Sequence, residues 1–320
     1  MMTRLVTVIP VYNGESFLKA TLESVATQTR QPDCVIIQDN CSTDGTAAIA
    51  QDFEKQGFKW YCNKKHVSSI ENFNAALRFS EEADVLHLLT ADDLIMPDFY
   101  ARLLEPLLSV KGPALAYSAY EVIGEDGELV KDSDLKNPFP IEPGGLPRII
   151  PHTRFIASQS DLRTICLPAV LMKTNREALP VKFSSDYIQC ADAVFYAELA
   201  GYCEKIVEVP AALCRYRRHE NSTTSRNRME PAALIEDEWK AMQKASMLLG
   251  KKGFSAWLWN FRQRCLLAGT SRIMLRESNQ LTVVCQAEVV QSTRAITGGV
   301  AWYLGNLAVA LRDFIRHGYA

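Results

Sequence analysis

The chain has 320 residues, 48% of them hydrophobic and 22% charged, and a formal net charge of −2. That length and apolar content are enough for a full core in one large domain or two, and the near-neutral total argues against nucleic acid as a partner. Nine cysteines without a Cys-x-x-Cys pair indicate neither a zinc site nor a disulfide framework, and read as reduced, mostly buried thiols of a cytosolic protein. The opening MMTRLVTVIP enters a strand directly and predicts no signal peptide. No apolar run reaches the roughly 18 residues of a membrane span.

Residues 5–10 (LVTVIP) form a short β-rich run closed by proline, as in a parallel sheet. Asn13-Gly14 makes a turn, and Phe17, Leu18, Leu22 and Val25 give residues 16–28 helical spacing. A second strand, 34–38 (CVIIQ), ends at Asp39-Asn40, and Ser42-Thr43-Asp44-Gly45-Thr46 supplies caps to a helix reaching about residue 56. A third strand covers 58–62. Ser68-Ser69-Ile70-Glu71 has the capping-box form and opens a helix through about residue 80. Residues 85–89 (VLHLL) read as a buried strand that stops at Thr90-Ala91-Asp92-Asp93; a helix from Pro97 to about residue 109 and a strand over 115–123 follow. Strand and helix alternating at short intervals imply parallel strands with right-handed crossovers and helices on both faces.

Glu125-Asp126-Gly127-Glu128 is a hairpin-type turn. Residues 132–151, rich in proline, glycine and charge, read as a mobile loop or lid. Residues 153–210 mix short helices and strands, with a helical pattern over 187–200, and 215–228 (RYRRHENSTTSRNR) read as a basic surface loop. From Pro231 the pattern is helical. From Lys240 to the end eleven Lys and Arg stand against Glu277, Glu288 and Asp313, an excess of eight, interleaved with Trp257, Trp259, Phe261, Trp302 and Tyr303. That composition suits helices lying on an anionic membrane surface, or equally a helical subdomain packed on the rest of the chain or on a second copy in a homo-oligomer.

The chemistry gathers at three strand ends. Adjacent carboxylates cannot share the interior with Val85, Leu86, Leu88 and Leu89, because unpaired buried charge is costly. Asp92 and Asp93 must emerge where open α/β sheets bind ligands. Clustered hard oxygens suit Mg²⁺ or Mn²⁺ holding a diphosphate, although aspartates are also ordinary turn and cap residues. Tyr12 offers a face for a nucleotide base and Asp39 an acceptor for a ring N–H; singly, each reads as well as a half-buried aromatic and a turn aspartate.

Four segments in order over residues 3 to about 110 carry a resemblance. VTVIPVYNGESFLKATLESVATQT, VIIQDNCSTDGT, ENFNAAL and LLTADDLIMP resemble the opening strand and Tyr-Asn turn, the V-D-D-G-S-T-D-G-T segment, and the N-x-N-x-A-L and D-x-D regions of inverting family-2 glycosyltransferases. The resemblance implies an α/β GT-A fold, a Rossmann-like, mostly parallel mixed sheet with helices on both faces. It places a nucleotide-binding half at 1–110 and an acceptor half and lid at 111–228, and the helical pattern beyond them reads as a separate C-terminal region at 229–320. It further implies transfer of a sugar from a nucleotide-sugar donor, UDP favoured, to an acceptor hydroxyl with inversion, helped by Mn²⁺ or Mg²⁺. The setting it implies is polysaccharide or lipid-linked glycan synthesis at the cytoplasmic face of the cell membrane.

Carried over by residue, Tyr12 stacks on the base beside Pro10 and Asp39 hydrogen-bonds it, while Asn13, Ser42, Asn72 and Asn74 line the nucleotide or sugar pocket. Asp92 is the direct metal ligand, with Asp93 beside it and Ala91 preceding it. Asn40 stands where an aspartate is usual, and Thr90 where the motif's first aspartate is expected, so the site loses a charge. Cys190-Ala191-Asp192-Ala193 is similar to the family's Glu-Asp segment, with Ala191 replacing the glutamate; Asp192 is the implied general base and Asp186 its rival. A carboxylate at a helix N-terminus is expected to stay ionised until it accepts the acceptor's proton. Tyr216-Arg217-Arg218-His219 resembles the Tyr-Arg-x-His lid, in which His219 reaches the metal or diphosphate and Arg217 or Arg218 neutralises the leaving nucleotide. Acceptor choice is expected within 132–179, where Gln159, Asp161 and Arg163 are polar candidates. A sugar-phosphate nucleotidyltransferase is disfavoured because the first strand leads to Tyr12-Asn13 rather than a glycine-rich loop, and a dehydrogenase because no G-x-G-x-x-G follows a strand. A catalytically silent nucleotide-sugar-binding module draws support from Thr90 and Ala191.

Overall fold

A computed structural model describes residues 3–130, 137, 139–142, 144–160, 165–222, 230–277 and 283–317. Four parallel strands form its first half: β1 (Leu5–Val11), β2 (Cys34–Asp39), β3 (Lys59–Cys62) and β4 (Val85–Leu88). β1 is buried along its whole length, as its unbroken apolar run demands of a central parallel strand. His87 fits inside β4 because both ring nitrogens are satisfied, Nδ1 by the Tyr100 hydroxyl (2.9 Å) and Nε2 by Pro168 O (2.8 Å). Burial pushes its pKa down to about 4, so the ring is a neutral core residue.

β5 (Leu94–Ile95), β6 (Ala114–Ile123), β7 (Arg148–Pro151), β8 (Val170–Lys173) and β9 (Lys205–Arg217) complete a mixed sheet of order β3-β2-β1-β4-β8-β6-β9-β5, with β7 on β9. β6 and β9 are parallel, whereas β8 runs against β4 and β6. The crossover helices are α1 (Leu18–Ala26), α2 (Thr46–Glu54), α3 (Ser69–Leu77) and α4 (Phe99–Ser109). α1 buries Leu18, Thr21, Leu22 and Val25, the stripe its spacing predicts. The Ser68–Glu71 capping box forms in both directions at the head of α3.

The rest is α5 (His152–Ser160), α6 (Ala191–Ala200), α7 (Pro231–Leu248), α8 (Gly253–Glu277) and α9 (Val283–His317), the last broken at Gly298 with φ 71°. By contacts the chain divides into two units: 1–155 with 163–184 and 195–219, and 156–162 with 185–194 and 220–320. The first holds the sheet and its core; the second has its own core of Ile235, Met242, Leu267 and Val289. Gly305 of α9 is required there, because a Cβ would collide with the Cys265 carbonyl of α8. No helix among the described residues is long and apolar enough to cross a membrane.

Two expectations change. The basic segment read as a surface loop from 215 begins as strand: Arg215, Tyr216 and Arg217 end β9, paired with Glu121, Val122 and Ile123 of β6. Sheet pairing and carbonyl partners for Arg217 compensate its charge; residues 223–229 lie outside the described residues. In the segment read as a lid, 148–151 are strand β7 against β9, and 132–136, 138 and 143 lie outside the described residues, as do Asp161 and Arg163.

Candidate functional site

β1 lies between β2 and β4 and is parallel to both, so the three C-terminal ends open on one edge of the sheet. The chain's exits from β1 and β2 are stitched together. Asn13 N–H donates to Ser42 Oγ (2.9 Å), Thr43 N–H to Asn13 Oδ1 (2.8 Å) and Gly14 N–H to Thr46 Oγ1 (2.8 Å). Asn13 and Cys41 hold left-handed backbone, φ 50° and 60°; asparagine tolerates this, while a cysteine there is uncommon. Buried Asp39 accepts from the Ser42 N–H (2.9 Å) and hydroxyl (2.6 Å) through Oδ1, and its Oδ2 receives a long bond from Trp60 Nε1 (3.4 Å).

Tyr12 is 49% exposed and packs against His66, ring centroids 4.3 Å apart. Asn40 places that histidine. Its side-chain oxygen accepts from Val67 N–H (3.0 Å) and Asn63 Nδ2 (3.0 Å), its Nδ2 donates to Val67 O (2.7 Å), and its backbone O lies 3.1 Å from His66 Nδ1. An amide can donate and accept at once, which an ionised carboxylate cannot, so the departure at Asn40 organises the 63–67 loop. His66 escaped the sequence reading because a single histidine in a basic loop carries no spacing signal.

The Thr90–Asp93 turn is anchored by α1: the buried Thr21 hydroxyl bonds Ala91 O (3.0 Å) and Asp93 O (2.9 Å). Gly14 closes on it, since a Cβ at Gly14 would sit 2.6 Å from Val11 Cγ2 and 3.8 Å from Ala91 Cβ. The two aspartates then diverge. The Asp92 side chain is 32% exposed, with Oδ2 3.1 Å from His219 Nε2. Asp93 is 1% exposed; Oδ1 accepts from Arg217 N–H (2.7 Å) and Oδ2 from the Thr90 hydroxyl. Burial first, and the Asp92 charge second, hold the Asp93 carboxyl well above the usual carboxylate range. Asp93, expected beside the cation, here forms an internal clamp with Thr90 as partner.

Arg217 is also drawn inward. It is 5% exposed, its Nε bonds Asp92 O (2.9 Å), its Nη1 bonds Gly124 O (3.1 Å) and Glu125 O (3.0 Å), and its guanidinium lies 4.8 Å over the Phe17 ring. It ties two turns together. Arg218, partly buried, donates its N–H to Ile123 O (2.8 Å). His219 packs on Phe17 with centroids 4.6 Å apart, so a residue read only as helix spacing is the platform for both basic side chains. Of the residues expected to line the nucleotide or sugar pocket, Asn72 is buried between Gln38 O (3.4 Å) and Asn63 Nδ2 (3.0 Å), and Asn74 pairs with both N–H and C=O of Phe183 (2.9 Å each). Pro10 is a buried residue of β1.

Among the described residues, no group of three or more His, Cys, Asp or Glu could hold a metal ion. Asp92 and His219 still present a hard oxygen and an imidazole nitrogen together at a partly exposed spot. That donor set fits Mn²⁺ or Mg²⁺ with diphosphate oxygens and water completing the shell.

In the second unit, Asp237 of α7 is 1% exposed and accepts three successive N–H bonds, from Ile188 (2.9 Å), Gln189 (2.8 Å) and Cys190 (2.8 Å). A side chain therefore takes the donors that periodicity assigned to a helix from 187, and α6 starts at Ala191. Asp192 follows, Oδ1 accepting from Ala193 N–H (2.7 Å). Burial pushes its pKa up to about 6 against the N–H bonds that lower it, with Asp237 adding to the rise. Desolvation thus outweighs the helix-terminus effect expected from sequence. Burial and Asp237 likewise push Glu238 up to about 8. Asp186 is exposed.

Residues 7–158 match the family described as Glycosyl transferase family 2. TuaG of Bacillus subtilis (strain 168), a glycosyltransferase assigned to teichuronic acid biosynthesis, is 31% identical over 130 residues, 38% of this chain and 49% of TuaG. An uncharacterized glycosyltransferase of Haemophilus influenzae is 26% identical over 230 residues, 68% of this chain and 66% of that protein. The chain thus spans about half to two thirds of the length of these relatives. Among solved structures, S. aureus TarS 1-349 with UDP-GlcNAc superposes with a TM-score of 0.59 at 16% identity, covering 92% of this chain and 81% of that one. The mannosyltransferase PcManGT from Pyrobaculum calidifontis, with GDP-Man and Mn²⁺, gives 0.56 at 13%, covering 99% and 88%. At such identities the likeness is one of fold. Over residues 7–158 the chain is thus similar to glycosyl transferase family 2, and its fold is of the GT-A type.

Proposed function

We propose that this protein is an inverting glycosyltransferase that moves a sugar from a nucleotide donor, a UDP-sugar being favoured, to an acceptor hydroxyl. Its setting on this reading is polysaccharide or lipid-linked glycan synthesis at the cytoplasmic face of the membrane. One observation carries the reading: a single sheet edge pairs an exposed ring and a buried acceptor, Tyr12 and Asp39, with the carboxylate–imidazole pair Asp92 and His219. The first pair suits a base and its ring N–H; the second suits a diphosphate. UDP-GlcNAc bound to TarS supports uracil, and TuaG's assignment to teichuronic acid biosynthesis supports the glycan setting.

In this reaction the acceptor hydroxyl attacks the donor's anomeric carbon as the bond to the diphosphate oxygen breaks. Asp192 receives the hydroxyl proton; with a pKa of about 6 it is largely ionised at neutral pH, yet basic enough to hold that proton. Asp186 is the rival base. A divalent cation held by Asp92 and His219 would neutralise charge on the departing diphosphate. Arg217 keeps the Asp92 turn in place, and Arg218 adds positive charge at the same strand end.

A thermal-shift screen of nucleoside diphosphates with and without Mn²⁺ tests base, cation and site together. UDP with Mn²⁺ is expected to raise the melting temperature most, and no shift with any nucleotide sinks the reading. Release of free UDP from UDP-sugars in the presence of acceptor then separates the enzyme from a silent nucleotide-sugar-binding module. Thr90 and Ala191 favour the module, and donor binding without turnover would support it.

A further inference from the structure

α7 ends at Leu248 and α8 starts at Gly253, and Gly250 and Gly253, at φ 62° and 56°, turn the chain between them. This turn presents large apolar side chains to solvent: Met247 is 70% exposed, Phe254 76%, Trp257 59% and Leu258 52%. The rings are ordered. Phe254 stacks on Trp257 (5.6 Å, 18°) and Trp257 on Phe261 (5.7 Å, 9°), at spacings of three and four that keep all three on one face of α8. A contiguous exposed apolar patch of this kind marks a contact surface.

Along this stretch of chain the charge has one sign. From 244 to 264 the chain contains Lys244, Lys251, Lys252, Arg262 and Arg264 and neither Asp nor Glu. Lys251 and Lys252 lie exposed in the turn itself, and the Lys251 ammonium and Arg262 guanidinium flank Trp259 at 4.9 and 5.5 Å. An apolar protein partner would account for the rings alone. An anionic lipid surface accounts for both, since aromatic and aliphatic side chains enter the acyl boundary while ammonium groups remain among the headgroup phosphates.

We propose that the α7–α8 turn is a membrane-docking tip, seating Met247, Phe254, Trp257 and Leu258 in the interface of an anionic bilayer with Lys251 and Lys252 on its phosphates. This deepens the proposed function by giving a membrane-borne acceptor a surface to work from, but it rests on the hairpin and not on the donor site.

Co-sedimentation of the full chain with phosphatidylcholine vesicles, with and without phosphatidylglycerol, tests it. Binding is expected to the anionic vesicles only, weakening as salt rises, with tryptophan emission shifted to the blue. Phe254→Ser with Trp257→Ser should abolish it, and Lys251→Glu with Lys252→Glu should weaken it by about thirtyfold or more. The second variant leaves every apolar residue in place, so a folding defect in the first does not remove the test. No binding, or equal binding to neutral vesicles, overturns the proposal. So does a dimer by light scattering that the Phe254→Ser, Trp257→Ser chain loses, which would assign the face to a second copy. The UDP thermal shift, measured on the same chains, keeps failure at the tip distinct from failure at the donor site.

Discussion

The Asp92–Asp93 turn and the head of α6 both gather carboxylates, and they treat charge in opposite ways. At the turn, one carboxylate stays near the surface against an imidazole while its neighbour is sunk and bonded by Thr90 and Arg217. At α6, burial leads and the Asp237 carboxylate adds to the rise for both Asp192 and Glu238. On the proposed reading the first arrangement meets a cation and its diphosphate. The second offers a desolvated carboxylate whose affinity for a proton is raised into the working range of a general base.

The sharpest way to break this contrast is at the proton side. Asp192→Asn is expected to cut UDP release by about 10²–10⁴-fold while UDP binding is kept; the same loss in Asp186→Asn instead would move the base there. With Asp192 as the proposed base, the rate of the unaltered chain should fall on the acid side of about pH 6, because a general base acts only when unprotonated. At the cation side, Asp92→Ala should lower UDP affinity in Mn²⁺ by about 100-fold, read by calorimetry, and chelation should bring the unaltered chain to the same level. An unchanged affinity would remove the cation from this turn.

Smaller effects sharpen the picture. Asp93→Ala leaves the Arg217 N–H and the Thr90 hydroxyl without their acceptor and should cost about 2–3 kcal/mol in thermal or denaturant unfolding. Asp93→Asn keeps the Arg217 N–H bond on its amide oxygen, and its amide N–H can donate to the Thr90 hydroxyl oxygen in place of the bond Asp93 accepts, so it should cost less than about 1 kcal/mol; a loss equal to that of Asp93→Ala would refute the clamp. Glu238 gives a change that depends on pH. Its folded pKa of about 8 lies above the ordinary 4.5, so the folded state keeps this proton longer than the unfolded one. The associated stability is complete below about pH 4.5 and drains away as pH rises toward 8. Glu238→Gln should therefore raise the melting temperature at pH 8 and hardly alter it at pH 4; equal shifts at both would contradict the assignment.

What could be read from the chain alone was whatever is encoded over a few neighbours. The apolar run of β1, the stripe of α1, the Ser68–Glu71 capping box and the halt of an apolar strand at Thr90 are local signals, and each stands close to where it was read. The convergence of Tyr12, Asp39 and Asp92 on one edge followed from parallel crossovers joined to those signals. Which of two adjacent aspartates turns outward was not legible, because Asp93 is held by Arg217, 124 positions away. Nor was the start of α6, since the donors of Ile188, Gln189 and Cys190 go to Asp237, nearly fifty positions on. Period and capping thus determined the elements and the edge where they end. Burial and hydrogen bonds between segments far apart in the chain decided which charged groups face outward and which hold the turns, because solvation and partners belong to the packed molecule.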